Sequence, residues 1–503
     1  LAAFSFQQQE EAVENSTLAI IITLITAVTF ALLGVLYVSR HRLSLEEYIV
    51  HRNSTGSWLA LATVVASVAG AWILFSPAET GVRTGLAALI GYGVGQAAPL
   101  AAFAAMGPRM RRLMPQGHSI TEYVWHRFGP AMYLFALGVM VFYMFVFLAA
   151  ELTGIALALQ LVAGTPLVWT ALIVAIGTVI YTAYGGLRAS IFTDGIQFLL
   201  IIPLLLVVFL AAALALGGFS AAFGPVSQSA PQLLSLTHRP GIEFGVTLII
   251  AVLAANMFHQ GFWQRVYTCR DDSTLRKAFY AGGLVIIPII FIGGLFGIMA
   301  VGFGVPAEQA SVALFSLVVQ ILPTWTIVLL LILALVLVMS SMDTLLNGIA
   351  SAVTSDLPRF WPGVQPPQLL NSSRLLTVLV AVPAVIIAAQ GYSVLYLFLI
   401  ADLVCAGAVF PVFYGLYSRH LSGLAALTSC VAGIVVGALF FPRPDFSPWL
   451  NIPQGGNFLV SFGAALGVSV VIAVLWSVLA SRLPRSATYD FQRLQEQVRV
   501  IQG

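Results

Sequence analysis

The sequence predicts an all-α polytopic membrane protein with about thirteen spans, on three observations. Of its 503 residues, 60% are hydrophobic and only 8% are charged, where a soluble domain carries about 25% charged residues. Apolar runs of about 20 residues, the length of a bilayer crossing, recur from end to end. The polar segments between them are too short to fold as separate domains. A soluble enzyme, a nucleic-acid binder and a disordered scaffold are thereby excluded, because too little charge is present to cover a soluble surface. The net charge of +3 does not argue for an anionic partner. Cys269, Cys405 and Cys430 are odd in number and far apart, so no disulfide framework is expected.

The first expected span, roughly 17–39, follows an acidic segment (Glu10, Glu11, Glu14) and no small-residue cleavage pattern follows it, so it reads as a helix rather than a leader. The next spans fall at roughly 57–76, 86–106, 131–163, 167–184, 190–215 and 243–265. They are followed by roughly 279–303, 325–352, 374–390, 393–417, 421–441 and 457–481. The tail beyond reads as a solvated end, with Phe491, Leu494 and Val498 able to share one helical face. It ends about 20 residues after the last span and shows no kinase-like part, which argues against a membrane sensor module.

Orientation follows from the basic residues. Only Arg83, Arg239 and Arg443 fall in loops on the N-terminal side. The rest cluster opposite, as in Arg40/Arg42/Arg52, Arg109/Arg111/Arg112/Arg127, Arg270/Arg276/Lys277 and Arg482/Arg485/Arg493/Arg499. The positive-inside rule then places the N-terminus outside and the C-terminus in the cytoplasm. A single lysine among 22 basic residues points to a bacterial genome, hence to a bacterial inner membrane.

Ionisable groups inside the apolar runs are candidate sites, since a charge at the bilayer centre costs at least about 2.5–3.5 kcal/mol. These are Glu151, Asp194, Asp343, Asp402 and His259. In Met339-Ser340-Ser341-Met342-Asp343-Thr344, hydroxyl and carboxylate oxygens crowd one span, with Ser340 and Asp343/Thr344 on one face. Such oxygens suit a small hard cation, and carbonyls of an opposing unwound helix would complete the shell. The alternative is a hydrogen-bonded helix contact. A small-residue run with a central glycine, Ala66-Ser67-Val68-Ala69-Gly70-Ala71-Trp72, interrupts the second span. Asn256 to Arg265 interrupts the seventh. Breaks five spans apart are the pattern of an inverted-repeat transporter with its site between them.

With these residues in view, the chain resembles the sodium/solute symporter family along essentially its whole length. Tyr181-Thr-Ala-Tyr-Gly-Gly through Thr193-Asp194-Gly-Ile-Gln197 is similar to one family segment. Met339 to Asn347 with Thr354-Ser-Asp356-Leu is similar to a second. The resemblance implies a LeuT-type core of five plus five inverted helices over 57–417. An extra N-terminal helix and loop precede it at 17–56, two helices follow at 418–483, and a cytoplasmic tail occupies 484–503. Core helix 1 is then 57–76 and core helix 10 is 393–417. Carried over, the shared sodium site uses carbonyls of Ala66, Ala69 and Leu337 with hydroxyls of Ser340 and Ser341. A second sodium or a proton is implied at Asp194, Asp343 and Thr344. Val68 stands where the sodium/proline branch has an aspartate.

The sodium/galactose branch carries amide and acidic sugar ligands on core helices 1 and 2, and this chain has Trp72-Ile-Leu-Phe after the first break, so the resemblance disfavours a sugar. His259-Gln-Gly-Phe-Trp263-Gln resembles the corresponding segment of the urea/polyamine branch, with His259 in place of its acid. The expected solute contacts are Gly70, Trp72, Gln96, Glu151, His259, Gln260 and Trp263, with core packing as the alternative for Trp72, His259 and Trp263. The implied function is sodium-coupled symport of a small polar organic solute, an amino acid, urea or a related small nitrogen compound rather than a sugar, by alternating access, with a proton-coupled symporter and a transporter-like sensor module as the alternatives. No catalytic motif of an intramembrane enzyme is found. Neither a nucleic acid nor an obligate protein partner is expected.

Overall fold

The computed structural model describes residues 2–40, 44–482 and 488–498, with side chains from residue 17 onward. Arg42, Arg485 and Arg499, and the side chains of Glu10, Glu11 and Glu14, lie outside that description. The described residues are helical and form no strand, only two isolated bridges. The elements that position the site are α1 (Ala2–Ser39), α2 (Ser57–Val68), α3 (Ser76–Thr84), α4 (Leu86–Leu113), α5 (Ile120–Phe128) and α6 (Pro130–Ala163). They continue with α7 (Leu167–Ala215), α8 (Arg239–Met257), α9 (Gln260–Thr268), α10 (Asp272–Gly302), α11 (Thr324–Phe360) and α12 (Pro366–Ala388). Last come α13 (Val394–Tyr414), α14 (Gly423–Ala438), α15 (Phe458–Arg482) and the short α16 (Gln492–Gln497).

Ten of the described helices are long and apolar enough to cross a membrane, and α2 with α3 makes an eleventh, bent by 60°. The expected spans at roughly 167–184 and 190–215 run together as α7, 49 residues long, with a kink at Gly186 (φ 56, ψ −145). Gly186 is needed there twice over. Its φ lies in the left-handed region, and a Cβ would sit 2.5 Å from the Tyr48 carbonyl. The expected span at roughly 421–441 is a helix of only 16 residues, α14. The seventh expected span is two helices, α8 and α9, parted at Phe258 and His259.

Loop-side helix starts are capped by side chains that accept otherwise orphaned amides. Ser119 caps α5 and Asp271 caps α10. The centre of the bundle is filled by large buried side chains, including Trp72, Trp263 and, against expectation, Arg265. The tail is not a solvated end. Leu494 and Val498 are buried, the Tyr489 amide donates to the Arg419 carbonyl at 2.9 Å, and the Arg127 guanidinium lies 4.4 Å from the Tyr489 ring centre. Burying these apolar groups against α5 outweighs leaving them in water. The tail's helix is shorter than the shared face of Phe491, Leu494 and Val498 required, because it spans only Gln492–Gln497.

Candidate functional site

The site is built on the break in core helix 1. At the end of α2 the Gly70 amide donates to Val68 rather than to Ala66, and the Ile73 amide donates to Gly70 rather than to Ala69. The carbonyls of Ala66 and Ala69 therefore lose their helical i+4 donors. Gly70 itself has φ −87, which any residue adopts. Its lack of a side chain matters because a Cβ would fall 2.2 Å from Glu151 Oε1.

Glu151, on α6, reaches into this break. Its carboxylate accepts from the Ala71 amide at 2.7 Å and from the Trp72 amide at 3.4 Å. Those are the donors exposed where a helix restarts, so Glu151 caps the second half of the broken helix.

Opposite lies α11, which packs on both halves of core helix 1. The Ser341 hydroxyl is 3.2 Å from the carbonyls of Leu337 and Val338. The Ser340 hydroxyl donates to Asp194 Oδ1 at 2.7 Å. Both serines and Leu337 are buried. Freed carbonyls and two hydroxyls on facing helices are the neutral oxygen donors a small hard cation takes.

Towards one side of that cluster, Asp194, Asp343 and Thr344 do come together, but around a cation of the chain's own. The Arg265 guanidinium bonds Asp194 Oδ2 at 2.7 Å and Thr344 Oγ1 at 2.8 Å. It also bonds Thr63 Oγ1 at 3.0 Å and the Gly261 carbonyl at 3.0 Å. The Thr63 hydroxyl donates to the same Asp194 oxygen at 2.5 Å. Asp343 instead accepts from hydroxyls: Ser190 at 2.7 Å, Tyr181 at 2.8 Å and Thr344 at 3.2 Å. The kink at Gly186 starts the arm of α7 that carries Ser190 and Asp194. Sequence reasoning missed Arg265 by grouping it with the loop cations. The signal was its place inside the interrupted seventh span.

Between the two broken helices lies a narrow cavity. Val68 and Trp72 come from the first break, Asn256 from the second, Gln96 from α4, and Asp402 from α13. Rings from α4, α6 and α13 interlock around it. Trp72 stacks on Tyr92 with centres 5.8 Å apart, and Phe147 meets Phe398 edge-on at 4.9 Å.

Of the expected solute contacts, only Trp72 and Gln96 line this cavity. Glu151 is taken up by the Ala71 and Trp72 amides at the break, and Gly70 leaves its carboxylate the room to reach them. Trp263 donates to the Met257 carbonyl at 2.9 Å and stacks on Phe413. His259 is buried behind the cavity wall, between Tyr143, Phe147 and Phe262. Gln260 faces away. Its amide donates to the His118 carbonyl at 2.8 Å and accepts from the Ile120 amide at 3.1 Å.

His118 is the centre of an ion-pair network joining the short helix Leu45–Ile49 that precedes α2, the start of α5 and the end of α11. Its Nε2 is 2.9 Å from Glu46 and its Nδ1 is 3.2 Å from Glu122. Arg359 bridges Glu122 and Asp356. Burial alone would lower the His118 pKa, but the hydrogen bonds and charges of Glu122 and Glu46 push it up to about 9. Burial raises Glu46 and Glu122, and the contacts with His118 outweigh it and hold both below the usual range.

Two interrupted helices meeting across a buried cavity, with a neutral oxygen cluster beside it, define a secondary transporter of the LeuT-type fold. The chain belongs to the sodium:solute symporter family, whose model matches residues 48–433. Among curated relatives, the spermidine transporter DUR31 of Candida albicans is 27% identical over 452 residues, spanning 84% of each chain. The urea-proton symporter DUR3 of Oryza sativa is 24% identical, over 76% of this chain and 57% of that protein. A Na+-coupled sialic acid symporter, solved in a substrate-bound outward-open state, superposes with a TM-score of 0.75 at 19% identity, covering 94% of this chain and 98% of that one. MhsT in complex with L-phenylalanine gives a TM-score of 0.52 at 13% identity, covering 84% and 99%. These structures share the fold. The relatives and structural neighbours are transporters, not enzymes.

Proposed function

We propose that this chain is a sodium-coupled symporter of a small nitrogen-containing organic solute, working by alternating access with its N-terminus outside and its C-terminus in the cytoplasm. One observation carries the coupling. The break at Ala69 and Gly70 withdraws the helical donors of the Ala66 and Ala69 carbonyls on the helix that α11 packs against. Sodium there uses those two carbonyls, that of Leu337 and the hydroxyls of Ser340 and Ser341. Bound sodium joins the broken helix to α11 and orders the cavity wall at Val68 and Trp72. Solute binding in turn raises sodium affinity, as linkage requires. The spermidine and urea relatives support a nitrogenous solute.

One sodium per cycle is proposed, because Arg265 already supplies the positive charge beside Asp194. The second reading, proton coupling, is favoured by Asp343, whose carboxylate meets only hydroxyl donors and is free to carry a proton. Uptake into proteoliposomes decides between them. Sodium-dependent accumulation that is lost in Ser340→Ala/Ser341→Ala supports the sodium site. Accumulation driven by a pH gradient in sodium-free buffer, lost in Asp343→Asn, supports the second reading.

A further inference from the structure

The cavity narrows the solute class. We propose that the solute is an organic cation without a carboxylate, and that the carboxylate of Asp402 is its counter-charge. This rests on the reading of the cavity as the solute site.

Asp402 is only 5% exposed, and among the described residues it has no hydrogen bond or ion pair. It lines the cavity from α13. A carboxylate at that depth is costly unless something pairs it. A structural aspartate would have found a donor, as Asp194 and Asp343 have. Among the described residues, no lysine, arginine or histidine lines the cavity.

Two of the other polar groups there present amide oxygens, while Tyr92 and Tyr143 bring hydroxyls, that of Tyr92 paired with Ser76. Asn256 donates its amide to the Val252 carbonyl at 2.9 Å, which leaves its carbonyl oxygen as the acceptor. Gln96 offers a second amide oxygen. The aromatic faces of Trp72, Phe147 and Phe398 complete a wall that attracts cations and repels anions.

The place for a solute carboxylate is already filled. In transporters of this architecture, amides at a half-helix N-terminus receive an anionic solute group. Here the Ala71 and Trp72 amides are held by Glu151. A zwitterion would bring a second carboxylate with no cation to meet it, only the hydroxyl of Tyr143 and the amide of Gln96, and a neutral solute would leave Asp402 unpaired.

The test uses the full chain, purified with sodium present, and measures binding by calorimetry and by shift in melting temperature. The cation probes are methylammonium, choline, 1,4-diaminobutane and spermidine. The controls are ornithine, which is 1,4-diaminobutane bearing a carboxylate, and urea. At least one cation is expected to bind about tenfold or more tighter than ornithine and urea, a difference of about 1.4 kcal/mol. Asp402→Asn is expected to abolish cation binding while the sodium-induced shift persists, and Asp402→Glu to retain it.

Tighter binding of ornithine or urea, undiminished cation binding in Asp402→Asn, or binding of none of the cations despite a sodium-induced shift each overturns the assignment. Where Asp402→Asn does not fold, Phe398→Leu, one helical turn away, replaces it. There, unchanged choline and methylammonium affinity overturns the assignment. Cation binding that is indifferent to sodium, with no sodium-induced shift, overturns the sodium coupling instead and leaves the solute class standing.

Discussion

At the scale of single residues, the site is a set of partner choices. Ser340, Ser341, Asp194 and Asp343 were legible because each is polar within an apolar run. Arg265 was not legible as a site residue. Its partner Asp194 lies 71 positions earlier, and only the packing of α7 and α9 on α2 and α11 brings them together. The same limit applies to Glu151, which in sequence looks like a solute ligand and in the fold is a helix cap. The Arg265–Asp194 pair is fully buried, so removing one partner leaves an uncompensated charge. Arg265→Leu is expected to destabilise the protein by about 3–5 kcal/mol. Asp194→Asn in the same chain is expected to restore most of that loss, as read by melting temperature. Melting unaffected by Arg265→Leu would show that Asp194 does not depend on the guanidinium.

At the scale of elements, the breaks in the second and seventh expected spans were readable from glycine and polar residues in apolar runs. The merged α7 and the short α14 were not, because apolar length alone does not mark a kink or set a helix end. The contacts of Gln260 could not be read either. A glutamine beside a break looks like a solute ligand, and only the fold shows it clamping the backbone around His118. That clamp links α9 to the His118 network, whose pH response is set by its neighbours.

Because its folded pKa of about 9 lies above its ordinary value, the His118 contribution is full below pH of about 6.5. It is lost as pH rises through about 9. Glu46 and Glu122, held low, act in the opposite sense and lose their contribution as pH falls. Arg52 also pairs with Glu46, and Arg359 with Glu122. The melting temperature of the protein is therefore expected to fall between pH 7 and pH 10, about neutral to well past that titration. The fall should be markedly smaller in His118→Gln. An equal fall in both proteins would place the pH response elsewhere.

At the scale of the whole molecule, composition was enough to read a membrane-embedded helical bundle, and its placement in a symporter family agrees. The side-to-side arrangement rests on the basic residues and is open to direct labelling. All three native cysteines are buried, so background reaction is low. A cysteine introduced at Ser227, exposed on the short helix Phe219–Ser229 that precedes α8, is expected to react with an impermeant maleimide on intact cells. One introduced at Gln495, exposed in the tail, is expected to react only after permeabilisation. The reverse pattern would invert the orientation.

Arg265 also has a thermodynamic consequence. A cation tethered to the chain has no concentration on either side of the membrane and cannot dissociate. It neutralises Asp194 through every conformation in which the pair survives, yet it transfers no free energy from any gradient. The steepest accumulation the carrier reaches is therefore governed by ions that come and go, and the guanidinium lowers that ceiling while making the empty carrier's return less costly in charge.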